Sequence, residues 1–227
     1  MEELYTPYYF DLSQFKHAAL FKKGEFVWEA LTQVAAYLQK FSLGQILAEI
    51  PSGAFVINPS VVSIGKGTII EPGAYIKGPC IIGENCTIRQ GAYIRGDLIC
   101  GDHCVIGHDS EIKNAILLDG AHAAHFAYVG DSILGNKVNL GAGTKCANLK
   151  LDNGPVIIHH NGKRFPTGMR KFGAIIGDAS QTGCNSVTNP GTLIGKNVAV
   201  CPCLNVGGVI PTNSKVMARE KPLISPR

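Results

Sequence analysis

The sequence predicts an all-β fold, a parallel β-helix of hexapeptide repeats with a short N-terminal helical segment and a projecting hairpin arm. Two observations predict it. Apolar residues recur every six positions between Ile64 and Val216, and turn formers are abundant, with 27 Gly and 12 Pro in 227 residues. A period of six is too short for tetratricopeptide or leucine-rich units, but each hexapeptide can supply one strand and one corner of a triangular coil. Three hexapeptides then complete a coil of about 18 residues.

The repeat defines the predicted helix domain, residues 51–227. Its first series comprises Ile64, Ile70, Ile76, Ile82, Ile88, Ile94, Cys100, Ile106, Ile112, Leu118 and Ala124. The spacing then shortens to five residues at Val129 and Leu134, returns to six at Leu140, and breaks after Thr144. The second series comprises Ile176, Thr182, Thr188, Ile194, Val200, Val206 and Thr212. Each of these side chains is expected to point into the prism, while the coils stack as three parallel sheets.

Residues 1–50 differ from the repeat and predict a helical cap. Gly24 and Gly44 bracket a segment with helical spacing of apolar residues, at Val27, Leu31, Val34, Leu38 and Phe41. A second helix is expected over residues 11–21. Because the end of a solenoid exposes unpaired edges, the expected role of this segment is to cover that end.

An insertion of about residues 145–173 interrupts the repeat. Within it, VIIHHNGKRF alternates around Asn161-Gly162, which is a strong hairpin signal. We expect an arm that projects from the prism. It is either a tolerated surface insertion or a device that reaches a neighbouring subunit or closes over a site.

Charge and hydropathy exclude several classes of partner. The net charge is +4, and Lys and Arg are scattered except for Lys163, Arg164, Arg170 and Lys171, so no nucleic-acid footprint is predicted. An anionic small molecule is the better match. There is no apolar run long enough to span a bilayer, and the first residues are acidic rather than basic, which predicts a cytoplasmic protein without a membrane partner.

The eight cysteines do not indicate a disulfide framework, because several are in phase with the repeat. Cys80, Cys86 and Cys104 share one repeat position, and we interpret them as small buried thiols in a reducing compartment. Cys201 and Cys203 form a C-x-C pair, which is too little for a zinc site without a second pair. The cysteines therefore predict no metal site.

Two cations are predicted to stack. Arg95 and Lys113 lie 18 residues apart and directly follow the inward residues Ile94 and Ile112, so they should occupy adjacent coils. Side-by-side cations repel each other. Either each faces solvent separately, or the two bind a dianion such as a phosphate.

The histidines are concentrated in the same region and leave two interpretations open. Three of His103, His108, His122 and His125 would ligate a metal at an intersubunit cleft, or one histidine would act as a general base. Ile94–Asp97, IRGD, is similar to hexapeptide-repeat carbonic anhydrases, which favours the metal. Spacing alone does not choose between them.

Motifs between Glu111 and Asn148 carry a family resemblance. Ala123–Asp131 reads A-x-H-x-x-Y-x-G-D, and Val138–Thr144 reads V-N-x-G-A-G-T. With IRQGAYIRGD upstream, this stretch resembles the acetyltransferase domain of the bifunctional N-acetylglucosamine-1-phosphate uridyltransferase / glucosamine-1-phosphate acetyltransferase family. TGMRKFGAIIGD downstream is especially similar to archaeal bifunctional sugar-1-phosphate nucleotidylyltransferase/acetyltransferases. The resemblance also implies that the β-helix is left-handed.

The resemblance implies an acetyl-CoA-dependent N-acetyltransferase that acts on an amino sugar 1-phosphate. His125 would be the general base, and Asn148 would orient it or the acyl group. The implied substrate contacts are Arg95 and Lys113 to phosphate and Tyr128 and Asn139 to sugar. The implied cofactor contacts are the backbone N–H of Ala142, together with Cys184 and Cys201.

The same resemblance implies a homotrimer with the cofactor groove between subunits. The uridyltransferase domain that precedes this region in the family is not found in residues 1–50, so a separate nucleotidylyltransferase is an expected partner. Two alternatives remain open, a non-catalytic scaffold of such a partner and a zinc hydro-lyase of the carbonic-anhydrase type.

Overall fold

Stacked parallel strands form most of the computed structural model, which describes residues 1–218. Within that range, every pairing between prism strands is parallel and joins one coil to the next. The predicted parallel β-solenoid is confirmed, and the predicted left hand stays a prediction. The last part of the predicted helix domain, residues 219–227, lies outside the described residues.

The strands occupy three faces, which we number in chain order. The first face contains Phe55–Ile57, Tyr75–Lys77, Tyr93–Ile94, Lys145–Cys146, Val187–Thr188 and Asn205–Val206. The second face contains Val62–Ile64, Cys80–Ile82, Leu98–Cys100, Ala174–Ile176, Thr192–Ile194 and Val209–Ile210. The third face contains Ile69–Ile70, Thr87–Ile88, Val105–His108, His122–His125, Asn139–Leu140, Gln181–Thr182, Ala199–Val200 and Lys215–Val216. Two longer strands, Glu111–Leu117 and Tyr128–Leu134, bend from the first face to the second.

The inward series differs from the predicted one in its middle. Leu117, rather than Leu118, continues the inward row, because it pairs with Cys100 before it and with Leu134 after it. Ala123, rather than Ala124, pairs with Ile106. Leu117 therefore follows Cys100 by 17 residues, so the shortening begins earlier than the sequence suggested.

The end of the series also differs. Ile194 pairs with Ile210, and Val200 pairs with Val216, so Thr212 is not an inward residue. The last described coil is therefore 16 residues long. A shorter corner preserves the sheet register, which pairing and burial fix more strongly than the corner length.

The N-terminal segment covers the second face, and its last part also stacks on the first coil of the prism, where Ile46 bridges to Ile64. Its helix Glu29–Lys40 packs against Glu111–Leu117 and Tyr128–Leu134, with Trp28 buried beside it. The residues that it helps to bury point outward from the second face: Ile81, Ile99, Ile116, Ile133, Ile175 and Leu193. The helix itself therefore lies on the second face, whereas the strand-like end of the segment lies at the prism end, where a cap was expected.

The remaining helical elements are short. They are the α-helix Thr6–Tyr9 and the 3₁₀ helices Glu2–Leu4, Ala18–Leu20 and Pro59–Val61. The helix expected over residues 11–21 is thus a series of tight turns, in which Phe15 donates to Leu12 and Ala18 donates to Phe15. These turns place Phe15 and Leu20 in the core individually, which one helical face would not do at their spacing.

The arm is a hairpin, as predicted, but it folds back onto the protein. Ile157–His160 pairs antiparallel with Lys163–Pro166 across Asn161-Gly162, both with positive φ, as a tight two-residue turn requires. Ile158 is buried, and the ring of Phe165 lies 5.8 Å from that of Phe26 in the N-terminal segment. The expected projection is therefore not found, because the hairpin has an apolar side.

The boundaries of the insertion are narrower than 145–173. Lys145–Cys146 is a strand of the first face, and it pairs with both Tyr128–Val129 and Val187–Thr188. The hydrogen bond from the N–H of Phe172 to the carbonyl of Asn148, 2.9 Å, closes the insertion at its base. The register across it is unbroken, since Leu134 pairs with Ile176.

All eight cysteines are free, and Cys80, Cys86 and Cys104 are buried as predicted. Cys184 and Cys203 are exposed on the last coils. Among residues 1–218, no helix combines the length and the apolar character that crossing a membrane requires.

Candidate active site

A polar cluster lies where the first face bends into the second. The backbone N–H of Arg95 donates to the carbonyl of Ile112, 2.9 Å, and Ile94 pairs with Ile112. Arg95 and Lys113 therefore lie side by side on adjacent coils, as their spacing predicts. The next coil contributes Tyr128 in register with Glu111.

Each of the two cations has a carboxylate partner. Nη1 of Arg95 lies 2.6 Å from Oε1 of Glu111, and Nζ of Lys113 lies 3.0 Å from Oδ2 of Asp131. Glu111 raises the pKa of Arg95 further, chiefly through this hydrogen bond. The Arg95 side chain is 45% exposed and that of Lys113 20%, so the first pair is the more easily opened. The cluster is thus balanced in charge.

Asp131 is the organising residue of the cluster, although its role is not evident from the sequence alone. Its carboxylate is buried and accepts hydrogen bonds from Lys113, Asn114 and Asn148, with 2.9 Å for Asn114. Its φ of 49° places it at the bend between the two faces. The only signal in the sequence is that it ends the A-x-H-x-x-Y-x-G-D motif.

Tyr128 and Asn148 lie over a glycine that makes room for them. The Asn148 side-chain amide donates to the Tyr128 hydroxyl, 3.1 Å. A Cβ at Gly130 would lie 2.5 Å from that hydroxyl and 2.8 Å from the amide nitrogen, closer than a side chain permits. Burial raises the pKa of Tyr128, which keeps its hydroxyl protonated as a donor.

His125 lies at the corner between the third and first faces. It is exposed, and it pairs in register with His108 of the preceding coil. The next coil follows it directly, because the N–H of Gly143 donates to the carbonyl of His125, 3.0 Å. The predicted base is therefore adjacent to the Gly141-Ala142-Gly143 turn.

The same corner brings together the predicted cofactor contacts. Leu140, Thr182 and Val200 are in register on three successive coils, so Ala142 and Cys184 occupy equivalent positions one coil apart. Cys201 is one position earlier, aligned with Gly141 and Gly183, and Pro202 takes the place beside Cys184. The carbonyl of Ala142 accepts from Asn185, 2.8 Å, whereas its N–H donates to no residue in the range 1–218.

Two predicted contacts lie elsewhere within the chain. Asn139 is exposed on the third face, paired with His122 and Gln181. The side chain of Asn148 is engaged by Tyr128 and Asp131, and no contact with His125 is found in the described part. Thus the structure groups Arg95, Lys113, Tyr128 and Asn148, and it places His125 on the neighbouring corner.

The histidines do not gather as metal ligands within one chain. In the described range, the one group of at least three possible ligands with mutual distances within 4.8 Å is Cys86, Cys100 and Cys104, all buried in the prism. Burial lowers the pKa of His122, and Arg89 adds to that effect, so His122 favours its neutral form.

Comparisons with known proteins agree with the motifs. Residues 76–161 match the family described as the GMPPB C-terminal domain. A bifunctional sugar-1-phosphate nucleotidylyltransferase/acetyltransferase of Sulfurisphaera tokodaii is 41% identical over 96 residues, which are 42% of this chain and 24% of the relative. The bifunctional protein GlmU of Methanococcus maripaludis is 39% identical over 119 residues, 52% of this chain and 29% of the relative. The chain thus spans about a quarter of the length of these relatives.

Two solved structures are also similar to this chain. A UDP-N-acetylglucosamine acyltransferase of Arabidopsis has a TM-score of 0.36 and 14% identity, with 73% of this chain and 68% of that chain covered. The acetyltransferase domain of PglB from Neisseria gonorrhoeae, in complex with acetyl coenzyme A, has a TM-score of 0.31 and 16% identity, with 86% and 65% covered. The sequence relatives confirm the resemblance carried by the motifs: over about half of its length, this chain is similar to bifunctional sugar-1-phosphate nucleotidylyltransferase/acetyltransferases.

Proposed function

We propose that this chain is an acetyl-CoA-dependent N-acetyltransferase that acts on an amino sugar 1-phosphate in nucleotide-sugar biosynthesis. The observation that carries the proposal is the adjacency of two groups. His125 and Ala142 lie on one corner of the prism, and Arg95 and Lys113 lie on the face that begins there. The relatives, which are named as bifunctional nucleotidylyltransferase/acetyltransferases, support the reaction class.

The cations and the hydroxyl would bind and orient the sugar 1-phosphate. Arg95 has guanidinium N–H groups beyond the one that Glu111 occupies, and these suit a phosphate bidentately. Lys113, held by Asp131, supplies a fixed point charge beside it. Tyr128 and Asn148 would hydrogen-bond sugar hydroxyls. Asn139 lies on the third face and would contact the same sugar only from a neighbouring subunit of the proposed homotrimer.

His125 would accept the proton that the amine loses. An imidazole suits this step because its unperturbed pKa lies near ~6.5. The amine nitrogen forms a bond to the acetyl carbon while the bond from carbon to sulfur breaks, and the departing thiolate takes up a proton. The thioester of acetyl-CoA supplies the activated acetyl group.

The corner beside His125 fits the approach of a thioester. Ala142 has an N–H with no acceptor in the described range, which is free to donate to the acetyl oxygen as charge develops there. The neighbouring glycines present little bulk, and Cys184 lies one coil further along the same corner. Cys201 lies beside them and would line the rest of the cofactor path.

The decisive test is CoA release from acetyl-CoA with glucosamine 1-phosphate and with galactosamine 1-phosphate. We expect His125→Ala to reduce turnover at least about a hundredfold, as loss of a general base typically does. His103→Asn is the matched control, because His103 is an exposed histidine in a turn with positive φ, a conformation that asparagine tolerates. Unchanged turnover in His125→Ala would refute the base assignment.

The same assay separates the alternatives. A scaffold that pairs with a separate nucleotidylyltransferase would show no turnover with any amino sugar. The observation that favours a scaffold is that Arg95 and Lys113 each already form an ion pair with a carboxylate of this chain. A zinc hydro-lyase would hold stoichiometric zinc and lose activity on chelation. The proposed homotrimer is tested by light scattering during gel filtration.

A further inference from the structure

An aromatic column stands on the outside of the first face. Phe55 pairs with Tyr75, and Tyr75 pairs with Tyr93, so one ring projects from each of three successive coils. The ring centroids are 6.4 Å and 5.4 Å apart. Phe55 is 56% exposed and Tyr93 is 43% exposed, although both belong to regular strands.

A column of cations runs beside the rings. Lys77, Arg95 and Lys113 lie on successive coils, two residues after Tyr75, Tyr93 and Glu111 respectively. Side chains two residues apart in a strand share a face, so rings and cations project to the same side. Lys77 is exposed and forms no ion pair with any residue in the range 1–218.

The second face shows what outward apolar residues do when they serve packing. There they are covered by the N-terminal segment, whereas nothing in residues 1–218 covers the rings of the first face. Stacked rings with cations alongside suit a ligand that has both a flat π-system and phosphates. Rings stack on nucleobases with about 1–3 kcal/mol per base, and Lys and Arg bind phosphate oxygens.

The order of groups along the prism gives the orientation of such a ligand. The proposed sugar contacts Tyr128 and Asn148 come first and Lys113 follows. Arg95 and Tyr93 share the next coil, and Lys77 lies with Tyr75 on the coil after that. Neighbouring strands are about 4.8 Å apart, so two coils separate the sugar contacts from Tyr93. The sugar, the diphosphate and the nucleoside of a nucleotide-linked sugar follow one another in the same order as these groups.

We propose that the first face binds a nucleoside diphosphate joined to the amino sugar, so that the acetylated substrate is a nucleotide-linked amino sugar. This inference rests on the proposed acetyltransferase and specifies its substrate class. The phosphate attached to the sugar lies at Lys113 and Arg95, the second phosphate lies towards Lys77, and the base stacks on Tyr93 or Tyr75. Glu111 lies between Tyr93 and Tyr128 in the outward row, and its carboxylate holds Arg95 in position at 2.6 Å.

Binding is tested by calorimetry on the full chain with uridine 5′-diphosphate and guanosine 5′-diphosphate, and with inorganic pyrophosphate as the probe without a base. We expect Tyr75→Ala to weaken the binding of at least one nucleotide about tenfold and to leave pyrophosphate unchanged. Lys77→Ala should weaken both kinds of probe. The matched controls, Ile69→Ala and Lys215→Ala, remove an exposed apolar and an exposed cationic side chain from the third face and should change neither.

Kinetics provide the second test. Lys77→Ala and Tyr75→Ala should raise the KM for a uridine-diphosphate-linked amino sugar about tenfold, with the KM for amino sugar 1-phosphate unchanged. If wild-type protein acetylates the 1-phosphate but neither nucleotide binds, the inference is wrong and the acetyltransferase stands. If no amino sugar is acetylated while the nucleotides bind as described, the acetyltransferase fails instead. A change in oligomeric mass in Tyr75→Ala would overturn the inference, because the rings would then be a contact between copies.

Discussion

The first and second faces are built by the same coils and carry opposite chemistry. On the second face the outward row is isoleucine or leucine, and it is sealed by Trp28 and the helix Glu29–Lys40. On the first face the outward positions hold Tyr93, Arg95 and Lys113, and they remain accessible. The inward residues therefore determine that the chain folds as a prism, whereas the outward residues of each face indicate what that face contacts.

The largest expected effect comes from opening the covered face. Trp28→Ala removes a fully buried ring that contacts both the N-terminal segment and Phe172, with ring centroids 6.4 Å apart. We expect a loss of about 3–5 kcal/mol in the free energy of unfolding, measured by urea denaturation. Phe55→Ala is the control on the first face, and its exposed ring should change stability by less than about 0.5 kcal/mol. Equal effects of the two substitutions would remove the contrast between the faces.

A smaller effect should follow from crowding the first face. In Gly130→Ala the new methyl group would displace Tyr128 and Asn148, whose terminal atoms lie 2.5 Å and 2.8 Å from it. Both are ends of flexible side chains, so we expect stability to change little and CoA release with amino sugar 1-phosphate to fall about tenfold, or about 1.4 kcal/mol in the barrier. Ser132→Ala is the control for general disturbance at the same bend. Gly24→Ala would not serve as a glycine control, because Gly24 has a positive φ. Wild-type turnover in Gly130→Ala would show that Tyr128 and Asn148 are not substrate contacts.

The smallest predicted effect concerns pH and the covering segment. Burial lowers the pKa of His17, which lies 3.1 Å from the Tyr37 hydroxyl; Asp102 opposes the shift and Lys16 adds to it. Because the folded pKa is below the unfolded value of about 6.5, the contribution of His17 is present above that pH and is lost as the pH falls through it. Thermal unfolding at pH 8 and pH 5.5 should show a lower midpoint at pH 5.5.

His17→Gln should reduce that dependence on pH, while His159→Gln, which removes an exposed histidine of the arm, should leave it unchanged. A midpoint in His17→Gln that falls as much as in wild type would assign the pH dependence to other groups.

The period of the repeat was sufficient to predict the prism but not its register through Leu117-Leu118. Both residues are apolar because both are buried. Leu117 points into the prism, and Leu118 packs under the N-terminal segment. A period-two pattern disappears wherever both sides of a strand are buried. The apolar runs Cys80–Ile82 and Leu98–Cys100, one coil apart, were the available signal that a face is covered.

The site was predictable to the extent that spacing determines position. Arg95 and Lys113 were placed together by one coil length, and the structure has them on adjacent coils. The carboxylates that hold them were not predicted, because Asp131 reaches Lys113 only through a bend with positive φ. The hairpin was predicted from Asn161-Gly162, but its docking depends on Phe26 and Phe165, which are distant in sequence.

The contact between the N-terminal segment and the last coils sets an order of events in folding. Tyr8 accepts through its hydroxyl from the N–H of Thr212, 3.1 Å, and the carbonyl of Tyr9 accepts from Asp178, 2.9 Å. The coils themselves form through contacts about one coil apart, which close quickly, whereas these contacts span most of the described chain. The ribosome synthesises Tyr8 long before Thr212. During synthesis, Trp28 and its neighbours therefore lack the surface on which they pack in the folded protein. For that interval the growing chain exposes the apolar side chains of its N-terminal segment, and such exposed surface favours aggregation until the second face is formed.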